Sequence, residues 1–323
     1  MSSSIHSHNK RKDPRFPFAH TYSIVARDPH TGEMGAAVQS HWFSTGSLVI
    51  WAEAGVGAVA TQAMVDPGYG PLGLELMFTG ISASTTLENL LFQDPRKEVR
   101  QVAMVDRHGN IGVHTGSKCI GEAGHVVGEG FSVQANMMIN NTVWHVMAEA
   151  YQNSTGRLAN RMMAALQAAQ EAGGDIRGQQ SAAMLVVKAK SSRKPWEDTL
   201  IDLRVEDHPD PLAELRRLID VQEAYEWMNK GDDFLVKDKI DLALQAYQTA
   251  AGLAPHLSEL PFWHAVTLAE MNRVEEALPL FAKVFQSDGN WAELLKRLPA
   301  AGLLRDDQNM INRILSVLST SSG

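Results

Sequence analysis

Thr21 opens the run TYSIVARD, and its side chain is the first candidate for chemistry. A threonine hydroxyl is a weak nucleophile at its own pKa and becomes useful only when a neighbouring base takes its proton. Were Thr21 a mature N-terminus, its own α-amine, with a pKa near ~8, would be that base and would hand the proton on to the leaving amine. Twenty residues precede it, so this chemistry requires cleavage of the His20–Thr21 bond. The alternative is a β-branched residue that merely starts a strand, as threonines commonly do.

Other chemistries find less support. The segment HTGSKCIGEAGH holds His114, Cys119 and His125, three residue types that bind zinc, yet their spacing fits no standard site and the chain has no second cysteine. No metal is expected. A Walker loop, a strand-to-helix G-x-G-x-x-G, a G-x-S-x-G elbow and an HExxH pair are all missing from the sequence, so no cofactor is expected either.

Composition narrows the class further. The chain has 323 residues, 44% hydrophobic and 20% charged, which suits a soluble protein of two domains. Its net charge of −8 and the want of a basic, aromatic-laced stripe argue against a nucleic-acid partner. No run approaches the ~18 consecutive apolar residues of a spanning helix. Residues 1–20 carry Lys10, Arg11, Lys12 and Arg15 without the apolar core of a secretory signal, and read as an exposed arm or propeptide. With a single cysteine, the cytoplasm is the expected compartment.

The elements that must position these residues follow from periodicity. TYSIVARD and MGAAVQS alternate about a Pro29–Gly32 turn and predict a hairpin, as do RQVAMVD and NIGVHTG about Arg107–Asn110. GSLVIWAEAG and GVGAVATQA predict a further strand pair, and HVVGEGFSVQANMM one more strand. GYGPLGLELMFTG reads as a helix stopping at Gly80, and SASTTLENLLFQ as a second with Ser84 as its cap. TVWHVMAEAYQN and GRLANRMMAALQAAQEAGG are helical, and QQSAAMLVVKA and DTLIDLRVED return to strand. Antiparallel hairpins without regular βαβ alternation predict a layered α+β domain over 21–205, two sheets between helices.

Pro209 and Pro211 mark a boundary, and 206–323 reads as all helical. Counting Ala224 as the first position, the tetratricopeptide pattern is met by Trp227, Gly231, Phe234, Ala243, Tyr247, Ala250 and Pro255, with Lys230 in place of the usual leucine. Ala277 and Phe281 repeat Ala243 and Tyr247 at a spacing of 34, although Pro261 and Ala265 depart from the pattern. Two units are too few for a free-standing solenoid. The tail is expected to lean on the first domain or on another subunit, which makes a homo-oligomer the expectation.

The runs TYSIVARDPHTGEMGAAVQS, AGVGAVATQAMVDPGYGPLGLELM, RQVAMVDRHGNIGVHTG, GEGFSVQANMM and GGDIRGQQSAAMLVV together resemble the family called domain of unknown function 1028, in the same order and over about Thr21–Val205. The resemblance implies membership of the N-terminal nucleophile hydrolase superfamily, a four-layered αββα sandwich, and hydrolysis of a small amide or peptide-like substrate by Thr21. The tail from Asp207 resembles a module often fused to that family and labelled peptidoglycan-binding, whereas its residues point to helix-mediated protein contact. A non-catalytic scaffold on the same fold is the competing expectation.

Within that reading, an oxyanion needs N–H donors. Asn136 in SVQAN and Thr61 with Gln62 in VATQA are the candidates, and His114 is a candidate base. Gln134 joins Gln62 as a candidate substrate contact. Asp175 and Arg177 in GGDIRGQQ could orient a substrate carboxylate or the amine of the nucleophile. The lysine that proteasome-like relatives carry on an early strand has no counterpart, and Ser40 and His41 fall near its place. Each of these residues is also compatible with a structural role in a sheet or turn.

Overall fold

The structure, a computed structural model, describes Phe18, Ala19 and residues 21–320. The remainder of the expected N-terminal arm lies outside the described residues. Strands β1 (Phe18–Ala19), β4 (Ile50–Glu53), β5 (Gly57–Met64), β6 (Arg100–Asp106) and β7 (Ile111–Thr115) form one antiparallel sheet in the order β1-β5-β6-β7, with β4 also paired to β5. The second sheet, also antiparallel, has the order β11-β10-β3-β2-β9-β8, from β2 (Thr21–Arg27), β3 (Met34–Ser40), β8 (Gly124–Gly128), β9 (Phe131–Ala135), β10 (Ser181–Val187) and β11 (Thr199–Val205). Helices α1 (Tyr69–Phe78) and α2 (Ala83–Gln93) pack on the first sheet, α3 (Val143–Asn153) and α4 (Leu158–Glu171) on the second, and the sheets face each other through β2, β3, β5, β6 and β9.

Alternation explains this layering. On β2, Val25 faces the other sheet and belongs to one buried cluster with Val38, Ala58, Ala60, Ala103, Val105 and Ala183, while Val59, Val102 and Met104 turn the opposite way into a cluster with Tyr69, Leu74, Met77 and Leu87. Burying each such aliphatic side chain contributes ~1.5–3 kcal/mol. The inner face is built largely from valine and alanine, which leaves the sheets close together.

Two sequence expectations are corrected. HVVGEGFSVQANMM is a hairpin of two strands, β8 and β9, joined at Glu129–Gly130, where Gly130 sits at φ +71°, a conformation that suits glycine. The cap of α2 is Ser82 and not Ser84, for the Ser82 Oγ accepts from the Thr85 N–H at 3.3 Å and Ser84 lies inside the first turn.

Contacts divide the chain after Arg217. A four-residue α5 (Pro195–Asp198) precedes that division and α6 (Pro211–Val236) runs across it, and the second unit continues as the helices α7 (Ile240–Leu253), α8 (Glu259–Glu270), α9 (Val274–Ser287), α10 (Asn290–Arg297), α11 (Gln308–Leu315) and α12 (Val317–Thr320). Ala243, Tyr247, Ala250, Ala277 and Phe281, the residues of the 34-residue pattern, are buried. Gly231 is where a Cβ would come within 2.6 Å of the Tyr247 ring, so the glycine permits the helix contact. Among the described residues no helix is long and apolar enough to cross a membrane.

Candidate functional site

Period-2 alternation on β2 puts Thr21 and Ser23 on the same inward face as Val25. At this end of the sandwich the inner face is polar where the remainder is aliphatic. Ser23 Oγ donates to Gln62 Oε1 at 2.6 Å and accepts from Gln134 Nε2 at 2.6 Å, and Ser132 Oγ donates to Gln134 Oε1 at 3.0 Å. Gln62 Nε2 and Asn136 Nδ2 both donate to Gln101 Oε1, at 2.7 and 2.9 Å. Gln101 Nε2 in turn serves the Ala135 and Gly124 carbonyls and Thr115 Oγ1 at 2.8, 3.2 and 2.9 Å. Every one of Thr21, Ser23, Gln62, Gln101, Ser132, Gln134 and Asn136 is fully buried. Their mutual satisfaction makes that burial tolerable, since an unpaired buried polar group costs ~1–3 kcal/mol.

The network converges on Thr21. Its carbonyl oxygen faces the Asn136 backbone N–H at 3.1 Å, Gln62 Nε2 at 3.2 Å and Asn136 Nδ2 at 3.4 Å, and its hydroxyl donates to Ser40 Oγ at 3.1 Å. Both flanking amide residues precede a non-glycine residue in the left-handed region: Ala63, after Gln62, has φ +69° and Met137, after Asn136, has φ +60°. Such conformations carry ~1–3 kcal/mol of strain and concentrate at functional sites. Immediately upstream, Ala19 pairs with Ala63 and Phe18 with Met64, so the chain enters Thr21 from a strand on the opposite sheet.

The structure thus brings together Thr21, Ser40, Gln62, Gln134 and Asn136 and leaves the other sequence candidates apart. Thr61 alternates to the far face of β5, where its hydroxyl donates to the Asp66 carbonyl at 3.0 Å. His114 Nε2 is held at 2.8 Å from the Lys97 carbonyl oxygen, not by Thr21. Asp175 and Arg177 form a two-pronged ion pair with each other, Nε to Oδ1 at 3.0 Å and Nη2 to Oδ2 at 2.6 Å, and the Asp175 charge helps raise the phenol pKa of Tyr22, whose burial is the larger cause. Tyr22 donates to Gln170 on α4, so that pair acts on the helix side of the second sheet.

His125 touches the network indirectly, Nδ1 lying 2.9 Å from Thr115 Oγ1, and burial with the nearby His114 lowers its pKa. Cys119 donates to the Arg100 carbonyl at 3.3 Å, and burial pushes its thiol up to about 11. No group of three His, Cys, Asp or Glu side chains is arranged to hold a metal among the described residues.

Sequence reasoning missed Gln101, Ser23 and Ser132. The signal was present: Thr21/Ser23, Ser132/Gln134/Asn136, Gln62 and Gln101 are polar at inward positions of four apolar strands.

No curated protein matches the chain. The chain is similar to protein SPO2555 from Silicibacter pomeroyi, a crystal structure assigned to DUF1028, at 32% identity and a TM-score of 0.56, over 62% of this chain and 85% of that one. The model of DUF1028, described as a family of unknown function, matches residues 21–215, so that the match begins at Thr21 itself and takes in every strand of the two sheets except β1. The chain belongs to the DUF1028 family.

Proposed function

We propose that this chain is the precursor of an amidohydrolase of the N-terminal nucleophile type, on the αββα sandwich of that superfamily, with Thr21 as nucleophile and a small amide or peptide-like substrate. The observation that carries the reading is the convergence of a buried, satisfied amide network on Thr21. Hydrolysis of His20–Thr21 consumes one water and frees the Thr21 α-amine. That amine takes the hydroxyl proton as Oγ1 attacks the substrate carbonyl, the proton passes to the leaving amine, and water then hydrolyses the resulting ester. Asn136 Nδ2 supports the role of oxyanion donor, because its 3.4 Å bond to the Thr21 carbonyl is the longest of three and its release leaves that oxygen satisfied.

Mass measurement and N-terminal sequencing of active protein test the proposal. A chain beginning at Thr21, with turnover lost in Thr21→Ala, is expected. Intact Met1 on a preparation that hydrolyses amides overturns it.

A second reading, a non-catalytic scaffold or binding protein, is favoured by two observations: Thr21 has no exposed surface, and β1 is paired just upstream. It predicts an uncut chain without amide turnover. The helical unit is proposed as a tetratricopeptide-like module for self-assembly in the cytoplasm, on the strength of the 34-residue spacing of buried residues, and sedimentation of the full chain checks it.

A further inference from the structure

A cavity of about 350 Å³ opens at the far end of β2 from Thr21. Thr21 is the first residue of that strand and Arg27 the last, so at ~3.3 Å per residue the two are roughly 20 Å apart. Arg27, His108, Glu129, Phe131, Tyr151 and Arg161 are among the residues that line it.

Four features give the cavity a chemistry. Arg27 is anchored through Nε, which donates to the Arg107 carbonyl at 2.8 Å, and its two terminal nitrogens have no acceptor among the described residues. Arg161 spends Nη1 on Asp28 at 3.3 Å, lies 4.3 Å over the Tyr151 ring, and leaves Nε buried without a partner among the described residues. Tyr151 is 2% exposed, lines the cavity, and its hydroxyl meets no hydrogen-bond partner among the described residues. Burial pushes that phenol up to about 12, so it stays protonated and able to donate at neutral pH. Phe131 packs on Tyr151 at 4.6 Å between ring centroids, giving the cavity an aromatic wall.

The lining holds two guanidiniums, that of Arg161 paired with Asp28 and that of Arg27 paired with no carboxylate among the described residues, and one lining carboxylate, Glu129, within a chain whose net charge is −8. A guanidinium fork with free donors, a phenol donor and an aromatic wall match an oxyanion attached to an apolar body. The volume lies at the small end of ligand pockets and well above that of a bare inorganic ion.

We propose that this cavity is a binding site for a small organic anion, its carboxylate or phosphate held by Arg27 and the Tyr151 hydroxyl and its apolar part laid against Phe131 and Tyr151. The site is separate from Thr21, and nothing in it depends on the reaction proposed there.

The test is titration of the full chain at low salt with benzoate and with phenyl phosphate, followed by calorimetry, with inorganic phosphate as the control. Saturable binding of at least one aromatic probe is expected, tighter than inorganic phosphate and weakened about tenfold or more by Tyr151→Phe and by Arg27→Gln. Which aromatic probe binds tighter assigns the anionic group. Tyr151→Phe keeps the ring packing, so it carries the test should Arg27→Gln fail to fold. Absence of saturable binding by both aromatic probes overturns the proposal, as does binding that Tyr151→Phe leaves unchanged.

Discussion

Gln101 is the residue on which the buried network depends. Its Oε1 accepts from both Gln62 and Asn136, which orients the amides of both so that their N–H groups point at the Thr21 carbonyl. Methionine at this position fits the volume and removes every side-chain polar bond, taking an acceptor from the Gln62 and Asn136 amides and a donor from Thr115 Oγ1 and the Ala135 and Gly124 carbonyls in a dry interior. Gln101→Met is expected to cost about 2–4 kcal/mol, read as a lower urea midpoint; a loss under about 0.5 kcal/mol would mean that the network adds no stability. A second residue-scale prediction concerns pH. Burial works against ionisation of Asp94, but hydrogen bonds from Arg100, the Arg96 N–H and the Tyr69 hydroxyl outweigh it and hold the carboxyl below its usual value. A folded-state pKa below the unfolded value near ~3.9 means the contribution is complete above about pH 4 and is lost as pH falls through the folded value. Urea midpoints measured between about pH 3 and 6 should fall on the acid side in the wild type and fall less in Asp94→Asn. An unchanged pH slope in the variant sinks this account.

At the scale of elements, the start of α2 offers a direct comparison of two neighbouring serines. Ser82 caps Thr85 N–H, and the Asp106 carboxylate reaches the Ala83 N–H at 3.1 Å, so two donors of the first turn are satisfied from outside the helix. Ser82→Ala is expected to destabilise by ~1 kcal/mol and Ser84→Ala by less than about 0.5; thermal melts that reverse this order would return the cap to Ser84. The misreading has a physical source. SASTT offers hydroxyls at Ser82, Ser84, Thr85 and Thr86, any of which can cap, and only the turn from the first sheet decides among them. The β8–β9 hairpin was hidden because Gly130 reads equally well as a strand glycine. By contrast the Arg107–Asn110 hairpin was legible, since its turn is closed locally by Asp106, whose Oδ1 accepts from the His108 and Asn110 N–H groups. The site divides in the same way. Thr21, Gln62 and Asn136 could be named from residue type. That Thr61 faces away and Gln101 faces in depends on strand pairing, because a one-residue change of register exchanges the two faces.

For the whole molecule, the consequential fact is that each unit carries its own core. Val25, Val38, Ala60 and Val105 belong to the first, and Phe262, Phe281, Leu295 and Ile314 to the second. A chain built this way need not unfold in one step, and a lesion in one core should register there first. Gly231→Ala is a suitable lesion. In an exposed helix the change would gain up to ~1 kcal/mol, so the intrinsic propensity favours alanine. Here the added Cβ meets the Tyr247 ring at 2.6 Å, and that ring is buried and tied through its hydroxyl to Asp232 at 2.5 Å. With little room for the ring to yield, overpacking of ~1–3 kcal/mol should outweigh the propensity gain. Hydrogen exchange followed by mass spectrometry is the discriminating measurement. Faster exchange is expected over α7 and α8, with the protection of β2, β3, β5 and β6 unchanged. Equal loss of protection in the strands would mean that the two units fold as one cooperative body, and that any assembly carried by the helical unit is coupled to the state of Thr21.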